Sequence, residues 1–240
     1  MPHLFRLRIG LATAAIAMSG ASLGGTASFD DLPNLPAVTA GASLFDANNS
    51  SLVYDGITWD SGFSIVGDQY RTGGQGATPP APVFGVPHSG HYFATNENGG
   101  SVTLATNQVL TGAWFGRNEY YGFGGGADQV TIVAVSGGTD LAQVVFDLPA
   151  NIPGSPYEQA APLSFVDTSS FASLSGITGY RIDRRAPSQF SVNWVADDFQ
   201  FSPASAVPVP GTLLLLGAAL PGLAAVARRK KNHAPSSGRG

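Results

Sequence analysis

The chain has no cysteine in its 240 residues, which excludes a disulfide-stapled scaffold and any thiolate metal site. Charge is also scarce. Asp, Glu, Lys and Arg make up only 12% of the sequence, too little for a coiled coil, a surface-charged helical bundle or a charge-rich disordered chain. Lysine is missing altogether from residues 28–206, where Arg71, Arg117, Arg181, Arg184 and Arg185 face all 16 acids for a net charge of −11. Such an acidic surface repels phosphate backbones, so nucleic acid is excluded as a partner. It suits divalent cations and neutral ligands. Long amphipathic helices are lacking as well, because Gly (31) and Pro (17) occupy a fifth of the positions, against roughly 12% in average usage. With 43% hydrophobic residues there is material for one sizeable core, and one domain is the default at this length.

The seven remaining basic residues all sit at the two ends. Arg6 and Arg8 precede the apolar, small-residue run IGLATAAIAMSGASLGGTA, which reads as a secretory signal peptide cut near Ala27 at the small-residue site Gly25-Thr26-Ala27. At the other end, Thr212 to Ala227 is an uncharged apolar run of 16 residues stopped by Arg228, Arg229, Lys230 and Lys231. With Gly211 it approaches the roughly 17 to 25 residues of a membrane span. The basic stop would stay in the cytoplasm and leave the body of the protein outside.

Val207, Pro208, Val209, Pro210 and Gly211, then a short Leu/Ala/Gly span and the Arg228–Lys231 cluster, resemble the PEP-CTERM sorting signal of Gram-negative exopolysaccharide producers. Val209 stands where the name-giving motif has Glu, as in the related VPLPA-type variants. The resemblance implies recognition by an exosortase-type processing enzyme, transient residence in the inner membrane, and delivery to the cell surface or medium in association with extracellular polysaccharide. The alternative is an ordinary single-pass anchor. The chain thus divides into a signal peptide (1–27), a mature domain (28–206), a sorting tail (207–231) and a polar cytoplasmic end (232–240).

The middle carries short runs rich in Val, Ile, Phe, Tyr, Trp and Thr, broken by Gly, Pro, Asn and Asp, which is a strand-and-turn pattern. The expected strands are 28–32, 52–59, 62–66, 91–95, 101–105, 109–115, 129–135, 142–146, 163–166, 179–183 and 192–201. Eleven strands without helical spacers predict an all-β antiparallel sandwich, a jelly roll, with an immunoglobulin-like sandwich as the runner-up. The succession LTGAWF, a Val-rich strand, ITGYRI and ADDFQF resembles the galactose-binding-like jelly rolls found upstream of such sorting tails.

Two acidic pairs flank this domain, Asp30-Asp31 in SFDDL and Asp197-Asp198 in VADDFQF. If the first and last strands pair, the four carboxylates gather at one edge, where they could hold a structural calcium ion, a cation that takes 6 to 8 oxygen ligands. The competing reading is surface acids and strand-end caps. The segment Arg117, Asn118, Glu119, Tyr120 and Tyr121, closed by Gly124-Gly125-Gly126, is the candidate carbohydrate site, because aromatic faces and planar polar groups match the apolar faces and hydroxyl edges of sugars. Trp114 and Phe115 end a strand, so at least one of them belongs to the core. His88 and His91, in H-S-G-H, could join a ligand only if the chain turns at Ser89-Gly90, and read as loop histidines. No G-x-S-x-G elbow, H-E-x-x-H helix or phosphate-binding loop is present. A pair of acids suited to glycoside hydrolysis would be invisible at this level. The reading is therefore a non-enzymatic, surface-sorted sandwich, with a glycan-active enzyme or a purely structural protein as alternatives.

Overall fold

The computed structural model describes residues 24–32, 45–46, 51–70, 83–96, 100–118, 126–154, 158–186 and 193–204. Thirteen strands appear among them: β1 (Thr26–Ala27), β2 (Phe45–Asp46), β3 (Leu52–Tyr54), β4 (Ile57–Trp59), β5 (Phe63–Gly67), β6 (Tyr92–Asn96), β7 (Val102–Ala105), β8 (Val109–Arg117), β9 (Gln129–Ser136), β10 (Thr139–Asp147), β11 (Ser164–Asp167), β12 (Gly179–Arg185) and β13 (Trp194–Ser202). One 3-10 turn, Ser169–Ser173, follows β11. The strands form two antiparallel sheets. The first runs β11-β8-β13-β6-β5-β2, with β1 also on β13, and the second β10-β9-β12-β7-β4-β3. The expected all-β antiparallel sandwich is thus present. Among the described residues no helix is long and apolar enough to cross a membrane; residues 1–23 and 205–240, which include most of the expected signal peptide and all of the expected sorting tail, lie outside them.

The alternation of side chains along each strand explains the layering. In β9, Val130, Ile132 and Ala134 are fully buried, the inward face that the Val/Ile alternation predicts. From the first sheet, Phe63, Phe115, Trp194 and Phe199 point into the same layer, where Phe63 and Phe199 meet Trp59 of the second. Their rings pack edge to face, for example Trp59 on Phe63 at 5.1 Å and Trp59 on Phe199 at 5.0 Å, the arrangement the ring quadrupole favours. Phe29 closes this layer with no exposure, although its φ of 66° is a strained left-handed value for a bulky residue. The ring's contacts with Trp59 at 5.0 Å and Phe199 at 6.1 Å offset the strain.

Besides β2, which the sequence pattern did not predict, two strands differ from the sequence expectation. Residues 52–59 are not one strand but the hairpin β3–β4, turned at Asp55-Gly56 with φ values of 52° and 72°, the Asp-Gly signature of a tight hairpin. The first strand is Thr26–Ala27 rather than 28–32, because the left-handed Phe29 ends the extended segment.

Candidate functional site

The first and last strands do pair, Thr26 with Gln200 and Ala27 with Phe199, which brings the two acidic pairs to one part of the first sheet. What lies between them is the His88-Ser89-Gly90-His91 turn. Neighbours on a regular strand face opposite sides, but β13 carries a register shift between Asp197 and Gln200, and Asp198 adopts φ 47°. The bulge sends both carboxylates to the outer face of the sheet. Asp197 Oδ2 accepts the backbone N–H of His88 at 2.9 Å and of Ser89 at 3.0 Å, and its Oδ1 accepts that of Asp198 at 2.7 Å. Asp198 accepts the Ser89 hydroxyl at 2.9 Å and holds His88 Nδ1 at 2.6 Å. From the other side Asp30 Oδ1 accepts the backbone N–H of His91 at 2.7 Å and of Tyr92 at 3.2 Å. Gly90, with φ 53°, makes the turn between the two holds. Three carboxylates thus clasp one turn.

Asp31 takes no part in the clasp. The kink at Phe29 turns it towards the β3–β4 hairpin, where the Tyr54 hydroxyl donates to its Oδ1 at 2.5 Å. Burial and then this bond hold the Tyr54 phenol well above its usual pKa. The four acids therefore split three to one. Among the described residues no group of three or more His, Asp or Glu side chains is arranged to hold a metal ion.

Asp197 has no exposure, and burial pushes its carboxyl up to about 7 against the pull of its three backbone N–H donors. The exposed His91 imidazole is raised by Asp68, whose carboxylate lies 2.9 Å from its Nδ1. The two histidines thus turn to different aspartates, Asp198 and Asp68. Ser89, His88 and Asp198 do not form a nucleophile relay, since the serine donates to the acid and not to the imidazole.

The clasped turn ends a segment, 83–91, that lies over the outer face of the first sheet. There Val66, Phe84, Phe93, Leu163 and Val195 form a second buried apolar cluster, with Tyr70 and Trp114 packed on it half-buried. The His88 ring stacks on Trp114 at 3.6 Å and 12°, and Trp114 meets Phe165 edge-on at 5.5 Å. Phe165 is 38% exposed and the His88 side chain 36%, so the three rings make a partly solvent-facing aromatic row. Gly112 makes the row possible, because a Cβ there would lie 2.2 Å from the Phe165 ring. Phe115 is core and Trp114 is not, which resolves the alternative left by the sequence.

Of the expected carbohydrate residues, Arg117 ends β8 half-buried and donates from Nε and Nη2 to the Leu148 carbonyl at 3.1 and 2.9 Å. Asn118 is buried, and its carbonyl accepts the Gly126 N–H at 3.0 Å and the Asn151 amide at 3.2 Å. Both anchor the ends of the loop rather than facing outward. Glu119, Tyr120 and Tyr121 lie outside the described residues, as do Val207, Pro208, Val209, Pro210, Gly211, Arg228, Arg229, Lys230 and Lys231.

Sequence reasoning missed the aromatic row, because its members are drawn from β8, β11 and the Pro-rich segment. The bulge had a visible signal: core positions run even at Trp194 and Ala196, then odd at Phe199 and Phe201. No protein-family model matches the chain, and a search of curated proteins finds no match either.

Proposed function

We propose that the chain is an exported, surface-sorted, non-enzymatic β-sandwich that binds extracellular polysaccharide through the aromatic row on the outer face of its first sheet. The observation that carries this reading is the row His88–Trp114–Phe165, partly exposed, with the His88 ring held by the aspartate clasp. Rigid aromatic surface with polar groups at its border suits sugar rings, which stack an apolar face and present hydroxyls at the edge. Asp198 and Ser89 supply such groups beside His88. The loop with Tyr120 and Tyr121 belongs to the same proposal as a second aromatic element. From β7 onward the chain changes sheet repeatedly, through β8, β9–β10, β11, β12 and β13, which supports the finer reading as a galactose-binding-like jelly roll. The PEP-CTERM-like tail supports export to the surface of a Gram-negative bacterium through the inner membrane, with an exosortase-type enzyme as processing partner.

Pull-down of the exported protein on a panel of soluble and insoluble polysaccharides, with an assay for released sugar, tests the reading. Retention without sugar release supports it. Sugar release would point to a glycan-active enzyme, and no retention on any polysaccharide to a purely structural surface protein. A structural calcium ion at the clasp acids Asp30, Asp197 and Asp198, without Asp31, is a separate proposal, supported by their convergence on one turn in a domain of net charge −11.

A further inference from the structure

The export reading requires a leader peptidase, and the structure restricts where that enzyme can cut. A boundary after Ala27 removes β1, yet β1 is part of the folded sheet. Ala27 is 1% exposed and belongs to the main core cluster. Thr26 and Ala27 pair with Gln200 and Phe199, and the Phe201 N–H donates to the Gly25 carbonyl at 2.8 Å. Gly24 is held just as closely: a Cβ there would lie 2.3 Å from the Phe201 carbonyl oxygen and 2.7 Å from the Ser202 Cα. Residues 24–27 thus fill the edge of β13 that β6 leaves open, since β6 pairs only with Val195 and Ala196. A cut after Ala27 would leave that edge unpaired and put a new ammonium on half-buried Ser28, beside the fully buried Phe29.

The cut must therefore fall before Gly24. Upstream, a leader needs an apolar stretch of about 7 to 15 residues followed by small residues at the first and third positions before the bond. Ser19-Gly20-Ala21 meets this condition and leaves Ile9–Met18 whole as the apolar stretch. Gly20-Ala21-Ser22 has small residues at both positions too, but puts Ser rather than the preferred Ala before the bond, and Ala15-Ile16-Ala17 lies inside that stretch.

We propose that the leader is removed by hydrolysis of the Ala21–Ser22 peptide bond, so that the mature protein begins Ser22-Leu23-Gly24-Gly25 and carries β1 into the fold. Water is the co-reactant. Its hydroxyl goes to the Ala21 carbonyl carbon as the C–N bond breaks, and its proton to the departing Ser22 amine. Because β1 and β13 are antiparallel neighbours, Gly24 lies beside Ser202 at the edge of the sheet.

The inference rests on the export reading, and one experiment separates the two. The full chain is expressed with its own leader in a Gram-negative host, and the N-terminus of the protein recovered outside the inner membrane is sequenced. A start at Ser22 is expected. Ala21→Leu, which enlarges the residue before the bond, should leave the uncut form. Gly25→Leu should still give the start at Ser22, since no atom lies within 4 Å of a Cβ at Gly25 and the fold has room for the side chain. A start at Ser28, or processing blocked by Gly25→Leu and not by Ala21→Leu, overturns the inference and leaves export standing. An intact Met1 start in protein confined to the cytoplasm overturns the export reading itself.

Discussion

Replacing Asp197 by Asn should flatten the dependence of stability on pH. The Asp197 carboxyl has a folded-state pKa of about 7 and an ordinary value of 3.8, so the folded protein holds a proton that the unfolded chain releases. Its contribution is fully present below 3.8 and is lost as pH rises through about 7. Each pH unit within that window costs about 1.4 kcal/mol, and from pH 5 to pH 8 the two values give a loss of about 2 to 3 kcal/mol. His91, also raised, loses its share as pH climbs past 6.5. The raised Asp55 carboxyl adds a loss above 3.8, whereas Asp140 and Asp167, held low, gain theirs below the window. These contributions remain in the variant and cancel in the comparison. The acid accepts its three N–H donors on two oxygens, and even when protonated its hydroxyl oxygen can accept where the amide nitrogen of the variant cannot, so the variant should also be weaker at pH 5 by about 1 to 3 kcal/mol. Urea unfolding of both proteins at pH 5, 6, 7 and 8 measures these differences. Equal losses between pH 5 and pH 8 in wild type and variant would refute a buried, proton-holding carboxyl at the centre of the clasp.

Other predictions concern the core, the ion and the tail. Tyr180→Phe should cost about 1 to 3 kcal/mol in chemical denaturation, because the buried hydroxyl accepts the Leu110 N–H at 2.8 Å and donates to the Gln108 carbonyl at 3.0 Å. If calcium binds the clasp acids, melting temperature rises with calcium and falls with chelator, by about 2.7 kcal/mol of stabilisation at 100 times the dissociation constant; a melt indifferent to both removes calcium from the account. Mass spectrometry of the surface-released protein should find no peptide from Ala224 to Arg239, whereas retention of those peptides marks a plain anchor.

The layers of the sandwich were readable because alternation reports burial directly: Val130, Ile132 and Ala134 follow the inward face of β9. The β3–β4 hairpin was obscured because Tyr54, Ile57 and Trp59 carry apolar character straight across the Asp55-Gly56 turn. The pairing of the acidic segments followed from pairing the first and last strands. Their division could not be foreseen, because it depends on two left-handed residues, Phe29 and Asp198, whose conformations are set by the core they fill and the turn they hold. The aromatic row was hidden for a different reason. Trp114 and Phe165 are 51 positions apart in sequence and meet only because β11 pairs with β8, Phe165 opposite Trp114.

The measurement closest to the central claim is polysaccharide retention by the wild type beside Trp114→Ala, Phe165→Ala and the Tyr120→Ala, Tyr121→Ala double variant. Each protein is checked for an unchanged far-ultraviolet dichroism of its sheets. Removing an aromatic anchor from a binding face costs about 1 to 2 kcal/mol or more, so retention should weaken roughly tenfold with Trp114→Ala. Wild-type retention undiminished in all the folded variants would contradict the aromatic row and its loop as the binding surface.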